Sequence, residues 1–96
     1  MPLLTVVANF QVPSDQTDHV KTELEKLLPI SRREDGCIQY DLHENLNDDG
    51  HFLLYETWES RALWERHAKA PHISAFLKAT KDVDVELTVH QMKHVD

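Results

Sequence analysis

Apolar residues recur along this chain with two different periods, and the switches between them mark out its elements. Residues 3–12 alternate, with Leu4, Val6, Ala8, Phe10 and Val12 on one face and Thr5, Val7, Asn9 and Gln11 on the other. That period of two is a β-strand. Pro13 ends it, and Ser14 or Asp15 can cap a following helix. Val20, Leu24, Leu27 and Leu28 then keep to one helical face. Pro29 has no N–H to donate and predicts a kink or break before residues 31–34. Asp35-Gly36 closes the helix, with Gly36 suited to a left-handed backbone. A second strand covers residues 37–46, with Ile38, Tyr40 and Leu42 on one face. Asn47-Asp48-Asp49-Gly50 is a hairpin connection to a third strand over residues 51–58. The faces of that strand are Phe52, Leu54, Glu56 and Trp58 against Leu53, Tyr55 and Thr57.

Charge selects the hairpin register. A loop with an odd number of residues sets Tyr40 opposite Glu56 and Leu42 opposite Leu54. An even loop sets Glu56 beside Asp41, and two adjacent carboxylates are disfavoured across a strand pair. The odd register is therefore expected. Ser60 caps a helix bearing Leu63, Trp64 and His67, and Pro71 opens a further short helix with Ile73, Phe76 and Leu77 inward. Val83, Val85, Leu87 and Val89 alternate with Asp84, Glu86, Thr88 and His90, which predicts the last strand. The order predicts an α+β, ferredoxin-like βαββαβ chain: one domain over residues 1–96, with a four-stranded antiparallel sheet and both helical segments on one face. Val7, Leu53 and Tyr55 point to the other face, and a second copy of the chain is expected to cover them as a homodimer.

Composition narrows the partners. The formal net charge is −7 and the ten Lys and Arg are dispersed. Nucleic acid and anionic membranes both need a basic stripe, so neither is expected. The one cysteine, Cys37, rules out an internal disulfide and a multi-cysteine metal site, and fits a reducing compartment. No apolar run approaches ~20 residues. MPLLTVVANF carries no basic leader pattern, so a cytoplasmic address is expected.

The segments EDGCIQY, YETWES, His67 and Pro71-His72 together resemble the antibiotic biosynthesis monooxygenase family. The pattern of that family is roughly E-x-G-C-x-x-Y, then Y-E-x-W-x-S, then a His on the next helix and a P-H turn. Glu34, Gly36, Cys37, Tyr40, Tyr55, Glu56, Trp58, Ser60, His67, Pro71, His72 and Phe76 supply it here. The resemblance implies a dimeric α+β barrel with a cavity in each subunit between sheet and helices. It also implies cofactor-free oxygenation, with O2, of a small electron-rich quinol or polycyclic phenol. The family also includes haem-degrading enzymes and an isomerase of a phosphorylated signalling sugar. The haem-degrading branch is disfavoured, because the position resembling its proximal His is Leu77, which cannot ligate iron.

The chain has no G-x-G-x-x-G, no Walker loop and no H-E-x-x-H, and no cofactor is expected. Its seven histidines scatter; only His67 and His72 are close, with no acidic third ligand in motif, so no metal is expected. A cofactor-free oxygenase needs a base for a phenolic proton, neutral donors for the resulting oxyanion, and apolar walls that exclude water. His67 is the candidate base, since its ordinary pKa lies near neutrality. Asn9 and the indole N–H of Trp58 are candidate donors. Glu56, on an apolar strand face, must be paired or protonated. Phe52, Tyr55, Trp64, Ile73 and Phe76 are candidate walls, with Tyr40 and His72 as further substrate contacts. Each has a plainer role: His67 bonded to a backbone carbonyl, Glu56 bonded to Tyr40 or a helix N-terminus, the two Trp as core anchors, His72 at a helix start, Asn9 satisfying the sheet. Two other functions stay open. An isomerase of a small phosphorylated hydroxy-ketone would need cations from Arg32, Arg33, Arg61 or Arg66. A ligand-binding dimer would need no chemistry at all.

Overall fold

The structure, a computed structural model, describes residues 3–96. Met1 and Pro2, part of the stretch read above as lacking a basic leader, lie outside the described residues. Strands β1 (Leu4–Gln11), β2 (Cys37–Glu44), β3 (His51–Trp58) and β4 (Glu86–Met92) form one sheet in the order β2-β3-β1-β4. Every neighbouring pair is antiparallel. Helix α1 (Thr17–Arg32) follows β1, and α2 (Arg61–Ala68) and α3 (Pro71–Ala79) stand between β3 and β4. This is the ferredoxin-like α+β arrangement. Among the described residues, no helix is long and apolar enough to cross a membrane.

The core lies between the helices and one sheet face. Val6, Ala8 and Phe10 of β1, Phe52, Leu54 and Trp58 of β3, Val20, Leu24 and Leu27 of α1, and Phe76 of α3 are all buried. Each large apolar side chain so buried stabilises the fold by roughly 1.5–3 kcal/mol. The hairpin has the odd register, pairing Tyr40 with Glu56 and Leu42 with Leu54. Ser60 caps α2 by accepting the Leu63 N–H at 3.2 Å.

Four local expectations are corrected. Pro29 sits inside α1, which runs on unbroken to Arg32. The burial of Leu27 before it and Ser31 after it outweighs the one hydrogen bond that proline forfeits. Ser14 and Asp15 do not cap α1; they form a short 3-10 turn, and Thr17 Oγ1 donates to the Ser14 carbonyl. An irregularity between Cys37 and Gln39 sets Cys37 across from Trp58 and turns Ile38 outward, 53% exposed. Finally, β4 begins only at Glu86, because its partner Gln11 is the last paired residue of β1. Val83 and Val85 pack against the core without joining the sheet. Leu87 and Val89 share the face of Phe10 and Ala8, yet both stay exposed.

Candidate active site

Between that sheet face and helices α2 and α3 lies a cavity of about 320 Å³. This is within the size of small-molecule sites, roughly 300–1,000 Å³. Val6, Ala8, Phe10, Tyr40, Leu54 and Glu56 line it from the sheet, and Trp64, His67, Ile73 and Phe76 from the helices. Leu27, Ala68, Leu77, Leu87 and Val89 complete the lining; Leu77, Leu87 and Val89 are exposed, so the cavity opens between α3 and β4. A larger hollow of about 400 Å³ lies beside Leu3, Ser60, Arg61 and Lys93. None of its lining residues is a buried titratable group, whereas the smaller cavity is lined by two, Glu56 and His67.

Glu56 reaches the cavity because period-two alternation puts it on the core face of β3, across from Tyr40 on one side and Val6 on the other. It is only 3% exposed. The Trp58 indole N–H donates to its Oε1 at 2.9 Å, and no described residue bonds Oε2. Burial pushes the Glu56 carboxyl up to about 7; the Trp58 hydrogen bond opposes this and the nearby Glu34 charge adds to it. Near neutral pH the group can therefore hold or release a proton.

His67 projects from the last turn of α2, and its ring lies over Trp58 with centroids 4.7 Å apart. Its Nδ1 stands 2.5 Å from Glu34 Oε1. Burial lowers its pKa, against the opposing pull of the Glu34 carboxylate. The imidazole is thus neutral, and the hydrogen bond to Glu34 assigns the proton to Nδ1. Nε2 is left as the basic nitrogen of a cavity-lining ring, with no described residue bonded to it.

Behind His67 the polar set continues. Glu34 Oε1 is also 3.2 Å from His72 Nε2, which is 3.0 Å from the hydroxyl of the buried Ser31. Burial, reinforced by the charges of Glu56 and Glu34, holds the Tyr40 phenol far above its ordinary value, while a hydrogen bond with Ser31 pulls the other way. Tyr40 stays protonated. The sequence offered no acidic third group near the two histidines; the structure supplies Glu34, and the donor atoms of Glu34, His67 and His72 lie within 4.8 Å of one another. Two ligands on a tetrahedral ion with ~2.1 Å bonds stand roughly 3.4 Å apart. The 2.5 Å separation of His67 and Glu34 is instead a charge-assisted hydrogen bond, which a cation would have to break.

Of the residues singled out in the sequence, Tyr40, Glu56, Trp64, His67, Ile73 and Phe76 meet at the cavity. Asn9 and Tyr55 do not, because alternation puts both on the opposite sheet face. There Asn9 Oδ1 accepts from His51 Nε2 at 2.9 Å, and Tyr55 pairs with Val7 and Asp41, 38% exposed. Trp58 is fully buried with its one N–H committed to Glu56, so it is not free to meet an oxyanion. Phe52 is buried beside Leu28 and Leu42, next to a separate hollow. His72 lies behind His67, outside the cavity lining. Two members of the set had no assigned role in the sequence reading. Glu34 was signalled only as the first residue of the EDGC motif, and Ser31 carried no signal.

A ferredoxin-like sheet roofed by helices, with a buried imidazole and a buried carboxyl at one apolar cavity, defines the class of α+β protein to which this chain belongs. Residues 3–79 match the Antibiotic biosynthesis monooxygenase family, and the chain belongs to it. It is 29% identical over 80 residues to an uncharacterized protein of Synechocystis sp., covering 83% of this chain and 54% of that protein, about half its length. It is 26% identical to "Probable quinol monooxygenase YgiN" of Escherichia coli, over 91% of this chain and 93% of the relative. The crystal structure of PA3566 from Pseudomonas aeruginosa superposes with a TM-score of 0.93 at 28% identity, covering 100% of this chain and 97% of that one.

Proposed function

We propose that the chain is a cofactor-independent monooxygenase that oxidises a small electron-rich quinol or polycyclic phenol with O2. One observation carries this reading: within a cavity otherwise apolar apart from the Tyr40 phenol, a buried carboxyl and a buried imidazole are shifted in opposite directions. The Escherichia coli relative's name points the same way. His67 Nε2 takes the phenolic proton, and the phenolate passes one electron to O2. For an anthrone-like phenol, the radical pair combines at the ring carbon that keeps one hydrogen in the phenolate, forming a C–O bond and a peroxide anion. His67 returns the phenolic proton to the distal oxygen, giving the hydroperoxide. Its O–O bond then breaks, the distal OH leaves with the remaining hydrogen of that carbon as water, and the carbon becomes a carbonyl. Substrate CH2 and O2 thus become C=O and H2O, with no external reductant. Asn9 and Trp58 are not available as oxyanion donors, and protonated Glu56 and Tyr40 take that part. The active species in this reading is a homodimer.

The isomerase alternative finds no support in the cavity. A phosphorylated substrate needs cationic partners, and the lining residues include no Lys or Arg. Arg32 is engaged with the Tyr40 carbonyl and Asp41, and Arg66 faces Asp35.

The test is oxygen uptake by metal-free protein with a panel of quinols and anthrone-like phenols, repeated with His67→Ala. Uptake that falls on the order of 10²–10⁴-fold in the variant is expected for loss of a general base. No uptake with any reduced phenol sinks the oxygenase reading.

A further inference from the structure

We propose that Glu34 is the positioning residue of this site: it fixes the tautomer of His67 and stabilises the imidazolium that forms when Nε2 accepts a proton. The catalytic consequence rests on the oxygenase reading; the geometric assignment does not.

A ring that presents Nε2 as a base must carry its proton on Nδ1, and something must enforce that choice. Glu34 Oε1 at 2.5 Å from Nδ1 is an acceptor that a carboxylate offers and a donor cannot replace. The same oxygen lies 3.2 Å from His72 Nε2, and that nitrogen is hydrogen-bonded to the Ser31 hydroxyl at 3.0 Å. The groups facing His67 from the packed elements are Glu34 from the α1–β2 connection, His72 from α3, Tyr40 from β2, and Trp58 from β3. Glu56 shares the cavity but is bonded to Trp58. Of these, Glu34 alone accepts a hydrogen bond from Nδ1. Its side chain keeps 21% exposure, beside a surface hollow lined by Arg33, Asp35, Leu63 and Arg66. It is therefore hydrated on one side while it contacts a ring that is 5% exposed on the other. A charge placed there favours the imidazolium at the moment of proton transfer without touching the substrate.

Glu34→Gln tests this with little change of shape. An amide can turn its NH2 toward Nδ1, which moves the imidazole proton to Nε2 and abolishes the base. Nitrogen-15 correlation NMR, with the His67 signals assigned by their loss in His67→Asn, reads the tautomer directly. Wild-type protein is expected in the Nδ1–H form at pH 8, and Glu34→Gln in the Nε2–H form, with the His67 titration displaced to lower pH. Glu34→Asp keeps the charge and is expected to restore part of that displacement, which a purely structural side chain would not do. Turnover of any accepted phenol falls on the order of 10²–10⁴-fold in Glu34→Gln, in kcat more than in KM. A wild-type Nε2–H tautomer, or a tautomer and titration unchanged by Glu34→Gln, overturns the assignment. The expected NMR behaviour without oxygen uptake from any phenol leaves Glu34 in its role and removes the oxygenase reading alone.

Discussion

Glu56 and His67 depart from their ordinary pKa values in opposite directions because one apolar cavity disfavours charge on both. The proposed reaction uses His67 neutral and Glu56 protonated, so turnover rises as His67 loses its proton below pH 6.5 and falls as Glu56 loses its own near pH 7. A bell-shaped pH profile is expected, and Glu56→Gln, which keeps a donor, removes the alkaline limb. The same shift acts on stability. Between pH 4.5 and about 7 folded Glu56 holds its proton more tightly than the unfolded chain does. Stability therefore falls as pH rises through that window, by about 3 kcal/mol at most, and levels off above it. Urea titrations are expected to show Glu56→Gln matching wild type near pH 4 and exceeding it near pH 8; equal stability at both would contradict a buried, shifted carboxyl. His67 contributes the reverse slope, with stability lost as pH drops below 6.5. Both residues were legible in the sequence, since a carboxyl on an apolar strand face and a His on an apolar helix stripe each break a pattern. Asn9 cannot reach the cavity because alternation sets it beside Val7 and Gln11, on the other face of β1. Glu34 escaped because a loop side chain obeys no period, and 33 residues separate it from His67.

The connection from α1 to β2 carries Glu34 and depends on Gly36. Its φ is +85°, and a Cβ there would stand 2.5 Å from Leu63 Cδ1. Its carbonyl accepts the Glu59 N–H at 2.8 Å, and the Cys37 N–H donates to the Glu34 carbonyl at 3.2 Å, tying the loop to the end of β3. Gly36→Ala combines left-handed strain with overpacking against α2, a cost of about 2–4 kcal/mol. For a chain of this size the melting temperature falls by roughly 10–20 °C. A shift below a few degrees would mean that the loop and Leu63 yield easily. This glycine was readable from sequence, as was the hairpin register, because each rests on a local constraint: positive φ in one case and carboxylate repulsion in the other. The start of β4 was not, because Val83 and Val85 alternate as strictly as Leu87 and Val89. Whether a residue joins the sheet depends on the partner strand, and β1 offers nothing paired beyond Gln11. The course of α1 through Pro29 has a similar cause, since buried neighbours decide the helix and local propensity does not.

Across the whole molecule the two sheet faces are treated unequally. The helices pack over the face of Val6 and Leu54, while the face of Val7, Leu53 and Tyr55 carries none of the described helices. Tyr55 stands in the row His90–Val7–Tyr55–Asp41, an apolar centre between polar ends. That centre-and-rim composition suits association with a second copy, and charge is no aid to it: two chains of formal charge −7 repel at long range. An apolar interface between like-charged copies tightens, or holds steady, as salt rises, because screening removes the repulsion and leaves the burial. Light scattering is accordingly expected to give twice the 11.2 kDa chain mass, more completely at 0.5 M salt than at 0.02 M. Tyr55→Glu combined with Val7→Asp is expected to yield monomers. Neither position lines the cavity, so the His67 tautomer should survive the double change, and its survival separates loss of the interface from loss of the fold. A wild-type chain that scatters as a monomer at every salt concentration would remove the homodimer and leave the cavity chemistry to a single subunit.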